Sequence, residues 1–196
     1  MPEMSRMERA ACRSAPWRFV ARRVVLPWAL QGVRPAGRVL EIGAGSGAMA
    51  AELLTKFADV TVCATDFDEA MVATAKRRLA QFDGRVECRQ ADATALPFED
   101  NSFDIVLSWI MLHHTLRWED SLQEAVRVLR PGGRLVAYDL LGDPAVPFMR
   151  RTDHDGHRYI HFDELRAVLG DLPLEAVDIR RGKGGIVVRF NGVATG

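Results

Sequence analysis

An α/β architecture, with one mostly parallel sheet of seven strands and helices on both faces, is what this 196-residue chain predicts. Three observations carry that expectation. Apolar runs of strand length alternate with segments of helical period, a glycine-rich turn follows the first run, and a helix-stopping Pro-Gly-Gly turn precedes the fifth.

The first strand is expected over 37–43, and the loop after it holds Gly43, Ala44, Gly45 and Gly47 before a helix that runs through Phe57. Glycines in such a turn let backbone N–H groups approach a ligand closely, and the first helical turn adds unpaired donors. Strand two is expected over 59–65, ending at Asp66. The next helix begins with Asp68 and Glu69 at its positive end and finishes with Arg77 and Arg78 at its negative end, while Met71, Ala75, Leu79 and Phe82 form its buried stripe. Strand three covers 85–90, and a polar loop through Pro97, Asp100 and Asn101 delivers strand four at 103–108. A helix over 118–130 sets Leu122, Val126 and Leu129 on one face and stops before Pro131-Gly132-Gly133, which turns the chain into strand five at 134–139. Residues 142–160, with two prolines and two glycines, show no clear period and read as a loop over the site. A short helix at 163–169 precedes strands at 174–180 and 185–190, whose short connection makes them antiparallel neighbours.

The chain reads as one compact domain, 37–196, preceded by a helical cap at 1–36 on the substrate side. Its 26 basic and 26 acidic side chains cancel, which argues against nucleic acid as a partner, because such binding needs a clustered positive surface. The charge is nevertheless uneven: residues 1–38 carry eight arginines against Glu3 and Glu8. A basic lead-in of this kind can contact a membrane surface, although a solvated helix is its ordinary meaning. The longest apolar stretch, 24–30, contains Pro27 and is far short of a spanning helix, so a cytoplasmic protein is expected. Cys12, Cys63 and Cys88 have no metal-ligand spacing and are given no chemistry.

Glu41 is the most informative residue. It stands two places before Gly43 at the mouth of the first strand, where a charge is costly unless it faces ligand or water, and it suits a cationic ligand better than a pyrophosphate. Gly43-x-Gly45-x-x-Ala48 with Asp66 downstream also satisfies the dinucleotide pattern, so the loop alone leaves both ligands open. The later motifs discriminate: Gln90-Ala-Asp92-Ala, Leu96-Pro-Phe98, the run from Phe103 to Trp109, and Leu129-Arg-Pro-Gly-Gly-Arg-Leu-Val136. Together they resemble class I S-adenosylmethionine-dependent methyltransferases, most of all the group containing the quinone-biosynthesis enzymes, over about residues 36–140. The resemblance implies a Rossmann-like sheet with one reversed strand, S-adenosylmethionine as methyl donor and S-adenosylhomocysteine as product, and a small-molecule acceptor that could be apolar or lipid-like. A donor-binding sensor or partner subunit without turnover is the alternative, and an NAD-dependent oxidoreductase is the third reading.

In an open parallel sheet the ligand sits outside the carboxyl ends of the strands at the switch in strand order, where Glu41, Asp66, Asp92 and Ser108 project. By resemblance Asp66 accepts the ribose hydroxyls, Asp68 being better placed to cap the helix. Phe67 lies against the adenine or staples the helix start; Met71 joins the donor set; Asp92 and Ala93 meet the adenine, unless Asp92 only makes a turn. Ser108 and Trp109 border the methionine part of the donor, with Trp109 alternatively core. His113 and His114 follow strand four on the acceptor side, and either imidazole could take a proton from a phenol, hydroxyl or ammonium, His114 being favoured. No metal is expected at His154, His157 and His161, since the chain is not evidently helical before Phe162. Ser108-Trp-Ile-Met replaces the Asn/Asp-Pro-Pro-aromatic element of amino-group methyltransferases, so DNA bases are not expected acceptors. Trp17, Phe19, Trp28, Phe148 and Met149 supply apolar surface for a substrate cover.

Overall fold

A computed structural model describes residues 24–30, 32–142, 158–182 and 184–196. The lead-in through Arg23 and most of the 142–160 loop, including Cys12, Trp17, Phe19, Phe148, Met149, His154 and His157, lie outside the described residues.

The chain runs α1 (Leu26–Leu30), β1 (Gly37–Ile42), α2 (Ala48–Lys56), β2 (Val60–Asp66), α3 (Glu69–Leu79), β3 (Val86–Gln90), β4 (Phe103–Trp109), α4 (Trp118–Arg127), β5 (Leu129–Leu140), α5 (Phe162–Asp171), β6 (Leu174–Arg181) and β7 (Val187–Ala194). One sheet joins the seven strands in the order β3-β2-β1-β4-β5-β7-β6. The first five are mutually parallel, and β7 runs antiparallel to both β5 and β6. The order therefore reverses between β1 and β4, which makes that crevice the place for a ligand.

Alternation along each strand divides the core. Leu40 and Ile42 of β1 join Val106 of β4, Leu135 and Ala137 of β5 and the inner faces of α4 and α5. Val39, Ile105, Leu107, Val136 and Tyr138 point to the other side and pack with α1, α2 and α3. Both faces are covered, which is why the central strands read as continuous apolar runs in sequence. Cys63 is buried in this core, and burial pushes its thiol up to about 12. Among the described residues no helix is long and apolar enough to cross a membrane.

Several boundaries differ from expectation: α3 ends at Leu79, short of Phe82, and α4 ends at Arg127, not 130, which leaves Leu129 to β5. Strand β5 starts at Leu129, not 134: the pairing jumps from Phe103↔Leu129 to Ile105↔Arg134, and the Pro131–Gly133 turn is absorbed as an excursion inside the strand, with Gly132 at φ 77. Strand β7 starts at Val187 and continues to Ala194, past the predicted end at 190, because β5 offers partners to it as far as Arg134 and β6 as far as Leu174.

Candidate functional site

Glu41, one residue from the end of β1, lies between Ala64 of β2 and Leu107 of β4. Its side chain is 1% exposed and its Oε2 has no hydrogen-bond partner among the described residues. Burial, reinforced by the nearby charge of Asp66, raises its pKa to about 8, against a smaller opposing pull from the backbone of Ala50. A buried carboxyl left with an unsatisfied oxygen is costly unless a ligand supplies the partner.

The glycine loop is shaped from two sides. Gly43, Gly45 and Gly47 have φ of 68, 54 and 73. A Cβ on Gly43 would overlap the Met111 side chain, so glycine is needed there for packing against the loop after β4. A Cβ on Gly45 would meet no atom of the described residues within 4 Å, so that backbone faces open space. Ala44 donates its N–H to Thr65 O at 2.8 Å, and Gly47 donates to Ala44 O at 2.9 Å. Arg78 of α3 holds the loop from behind, donating to Ser46 O at 2.9 Å and to Ser46 Oγ at 2.5 Å.

Asp66 ends β2 and accepts from Gly45 N–H at 2.7 Å and Asp68 N–H at 2.9 Å. Its pKa is raised by burial, with those hydrogen bonds pulling the other way. Asp68 is the cap of α3, accepting from Ala70 N–H at 2.8 Å. Phe67 between them is among the few large exposed hydrophobic residues, whereas Met71, on the first turn of α3, is fully buried. Asp92 Oδ1 accepts from the N–H and the hydroxyl of Thr94 at 2.9 and 2.8 Å, so this residue does make a turn, whatever else it meets. Ala93 is buried beside it.

Ser108 and Trp109 close β4, both buried, with Ser108 Oγ and Trp109 Nε1 lacking hydrogen-bond partners among the described residues. The Trp109 ring lies 5.3 Å from Tyr138, which meets Trp28 of α1 edge-on at 5.4 Å. Ile110 then adopts φ 50, a left-handed conformation unusual for a β-branched residue. The turn it opens is secured by Asp139 of β5, whose Oδ2 accepts from Met111 and Leu112 N–H at 2.9 and 2.7 Å. Asp139 Oδ1 stands 2.6 Å from His113 Nδ1. The His114 ring centroid lies 4.0 Å from that of His113, with the planes tilted by 39°.

Sequence reasoning missed Asp139, although the signal was the one used for Glu41: an acid ending an apolar run, here Leu135-Val-Ala-Tyr-Asp139. It also missed Glu124 and Arg127 of α4, which pin the loop after Ala93. Glu124 accepts from Leu96 N–H at 2.7 Å, while Arg127 donates to Glu124, to Asp100 and to the carbonyls of Leu96 and Phe98.

Residues 40–137, half of the chain, match the model of the methyltransferase domain family. The chain belongs to that family. It is 32% identical to the ubiquinone/menaquinone biosynthesis C-methyltransferase of Ectopseudomonas mendocina, across 84% of this chain and 75% of that one. A demethylmenaquinone methyltransferase of Clavibacter sepedonicus is 42% identical, across 69% of this chain and 51% of that one. The methyltransferase also superposes on a solved S-adenosylmethionine-dependent methyltransferase from Aquifex aeolicus with a TM-score of 0.76 at 17% identity, covering 97% and 99% of the two chains, so the folds are alike. It is an S-adenosylmethionine-dependent methyltransferase of the quinone-biosynthesis type, which sets aside the dinucleotide reading of the loop.

Proposed function

We propose that this methyltransferase moves the methyl group of S-adenosylmethionine to a ring carbon of a reduced quinone, and that the crevice between β1 and β4 holds the donor. One observation carries the donor assignment: the buried Glu41 carboxyl, with Oε2 unpartnered, beside the outward side of Gly45. An ammonium group of the donor satisfies Glu41, and the donor's positive sulfur is welcome near the acids at the strand ends. Bound there, the donor supplies a methyl group already activated by the sulfonium.

The remaining work belongs to the chain. Asp66 keeps lone pairs available for the ribose hydroxyls after accepting from Gly45 and Asp68. Phe67 offers an exposed ring to the adenine, with Ala93 beneath and the second oxygen of Asp92 toward its amine. Ser108 Oγ and Trp109 Nε1 border the methionine portion with unspent hydrogen-bonding capacity. Alignment of donor and acceptor at near-contact distance, with water excluded, can lower the barrier by about 7–11 kcal/mol.

The acceptor class is supported by the relatives, named for ubiquinone, menaquinone and demethylmenaquinone. A direct test incubates the chain with methyl-labelled S-adenosylmethionine and a reduced 2-prenyl-1,4-naphthoquinone, and reads label on the ring by mass spectrometry. Label on a ring carbon supports the reading; label on oxygen, or none, rejects it.

A further inference from the structure

We infer that Asp139 is a positioning residue that holds His113 with its proton on Nδ1, leaving Nε2 as the atom that takes the acceptor's proton. The inference rests on the proposed methyl transfer and adds to it the identity of the base and of the group that orients it.

The geometry is over-determined around one carboxylate. Asp139 is fully buried at the end of β5 and accepts three backbone hydrogen bonds, from the N–H groups of Met111, Leu112 and Leu140 at 2.9, 2.7 and 2.7 Å, while its Oδ1 stands 2.6 Å from His113 Nδ1. Backbone N–H groups can only donate, so they fix the acid as an acceptor, and the imidazole nitrogen facing it must be the one that carries hydrogen. A neutral ring protonated at Nδ1 is basic at Nε2. The same acid holds the turn containing Ile110 at φ 50; strained backbone of that kind persists only where its surroundings enforce it, and it clusters at working sites. Arg158 donates its N–H to His113 O at 3.1 Å, which fixes the main chain that carries the ring, and Tyr159 lies parallel to the ring with centroids 6.4 Å apart. All of this stands on the loop directly after Ser108 and Trp109.

With a quinol acceptor, the hydroxyl proton passes to Nε2, and the electron pair left behind, delocalised to the adjacent ring carbon, forms the new bond to the methyl carbon. The pair of the cleaved carbon–sulfur bond stays on sulfur, giving the neutral thioether. The hydrogen on the methylated ring carbon then leaves as a proton to water, its bonding pair restoring the aromatic ring, and the proton held on Nε2 returns to oxygen. Asp139 stabilises the imidazolium formed in the first step and need not itself become protonated.

The test combines nitrogen-15 NMR of the ligand-free chain with steady-state kinetics on the reduced 2-prenyl-1,4-naphthoquinone. In the unmutated chain the His113 ring should carry its hydrogen on Nδ1. In Asp139→Asn the side-chain amide donates to the ring, the hydrogen should move to Nε2, and kcat should fall by about 10²–10⁴ while the dissociation constant of S-adenosylmethionine changes by less than about threefold. A purely structural acid would shift donor affinity and melting temperature and leave kcat and the tautomer alone; that result overturns the inference. If Asp139→Asn does not fold, the unmutated spectrum still decides, since a ring protonated on Nε2 overturns it as well. Absence of any transfer by the unmutated chain rejects the quinol acceptor, a failure separate from the tautomer.

Discussion

At the scale of single residues, Glu41 has the strongest consequence. Its pKa of about 8 in the folded chain lies above the ordinary carboxyl value, so the folded state binds more protons than the unfolded state between about 4.5 and 8. The stability associated with the neutral form is complete below about 4.5 and is lost as pH rises through about 8, at no more than about 1.4 kcal/mol per pH unit. Thermal denaturation of the ligand-free chain should therefore show a melting temperature that declines across this window, and Glu41→Gln should flatten the decline. The same variant should weaken S-adenosylmethionine by about tenfold or more, because a neutral amide replaces the charge partner of the ammonium. Calorimetry at pH 7 in two buffers of different ionisation enthalpy should also detect proton release on donor binding, and zero release would count against Glu41 as the partner. Asp66 differs because it already serves the loop: Asp66→Ala orphans the N–H groups of Gly45 and Asp68, so a stability loss of about 1–3 kcal/mol should accompany the loss of donor affinity.

At the scale of elements, the glycine loop separates packing from binding. Gly43→Ala drives a methyl group into Met111 and should destabilise the chain whether or not donor is present. Gly45→Ala meets no atom of the described residues and should cost only about 1–2 kcal/mol for its left-handed backbone, yet on the proposed donor site it should abolish donor binding, because the added methyl group takes the open space beside the loop. Paired melting and binding curves for the two variants check this; equal effects on both would remove the assignment of the crevice. Helix α4 makes a comparable link to the loop after Ala93. The Arg127 guanidinium, first among the causes, holds Glu124 below the usual carboxyl range, so the stability of this pair is present above about 4.5 and is lost as pH falls through the lowered value. Arg127→Ala should cost about 1–3 kcal/mol by removing the donor to the Phe98 carbonyl and one of the donors to the Leu96 carbonyl and to the Glu124 carboxylate. Urea denaturation measures that loss.

At the scale of the whole molecule, donor binding and folding are linked by mass action. S-adenosylmethionine at about 100 times its dissociation constant should stabilise the chain by about 2.7 kcal/mol, a rise in melting temperature of about 5–10 °C for a chain of this size. NAD at the same concentration should leave the melting temperature unchanged, and the reverse pattern would contradict the donor assignment. The layout explains why the response should be global: β1 and β4, which flank the crevice, are also the centre of the sheet, and each contributes residues to both packed faces.

The alternation of apolar strands and helical segments, the glycine turn after β1, the acids at positions 41 and 66 and the cap at Asp68 were all legible in the chain, because each is a local pattern tied to burial, backbone freedom or helix polarity. Nothing local revealed that the Pro131–Gly133 turn would be taken into β5, since strand register is settled by the neighbouring strand. The histidine pair was visible, and the sequence favoured His114. That the acid partner belongs to His113 depends on Asp139, 26 residues away, arriving at the end of the adjacent strand. Local physics determined which segments are strands and where the glycine loop lies, whereas the pairing of β4 with β5 decided which carboxylate meets which imidazole, because contacts across a sheet follow from register and not from spacing along the chain.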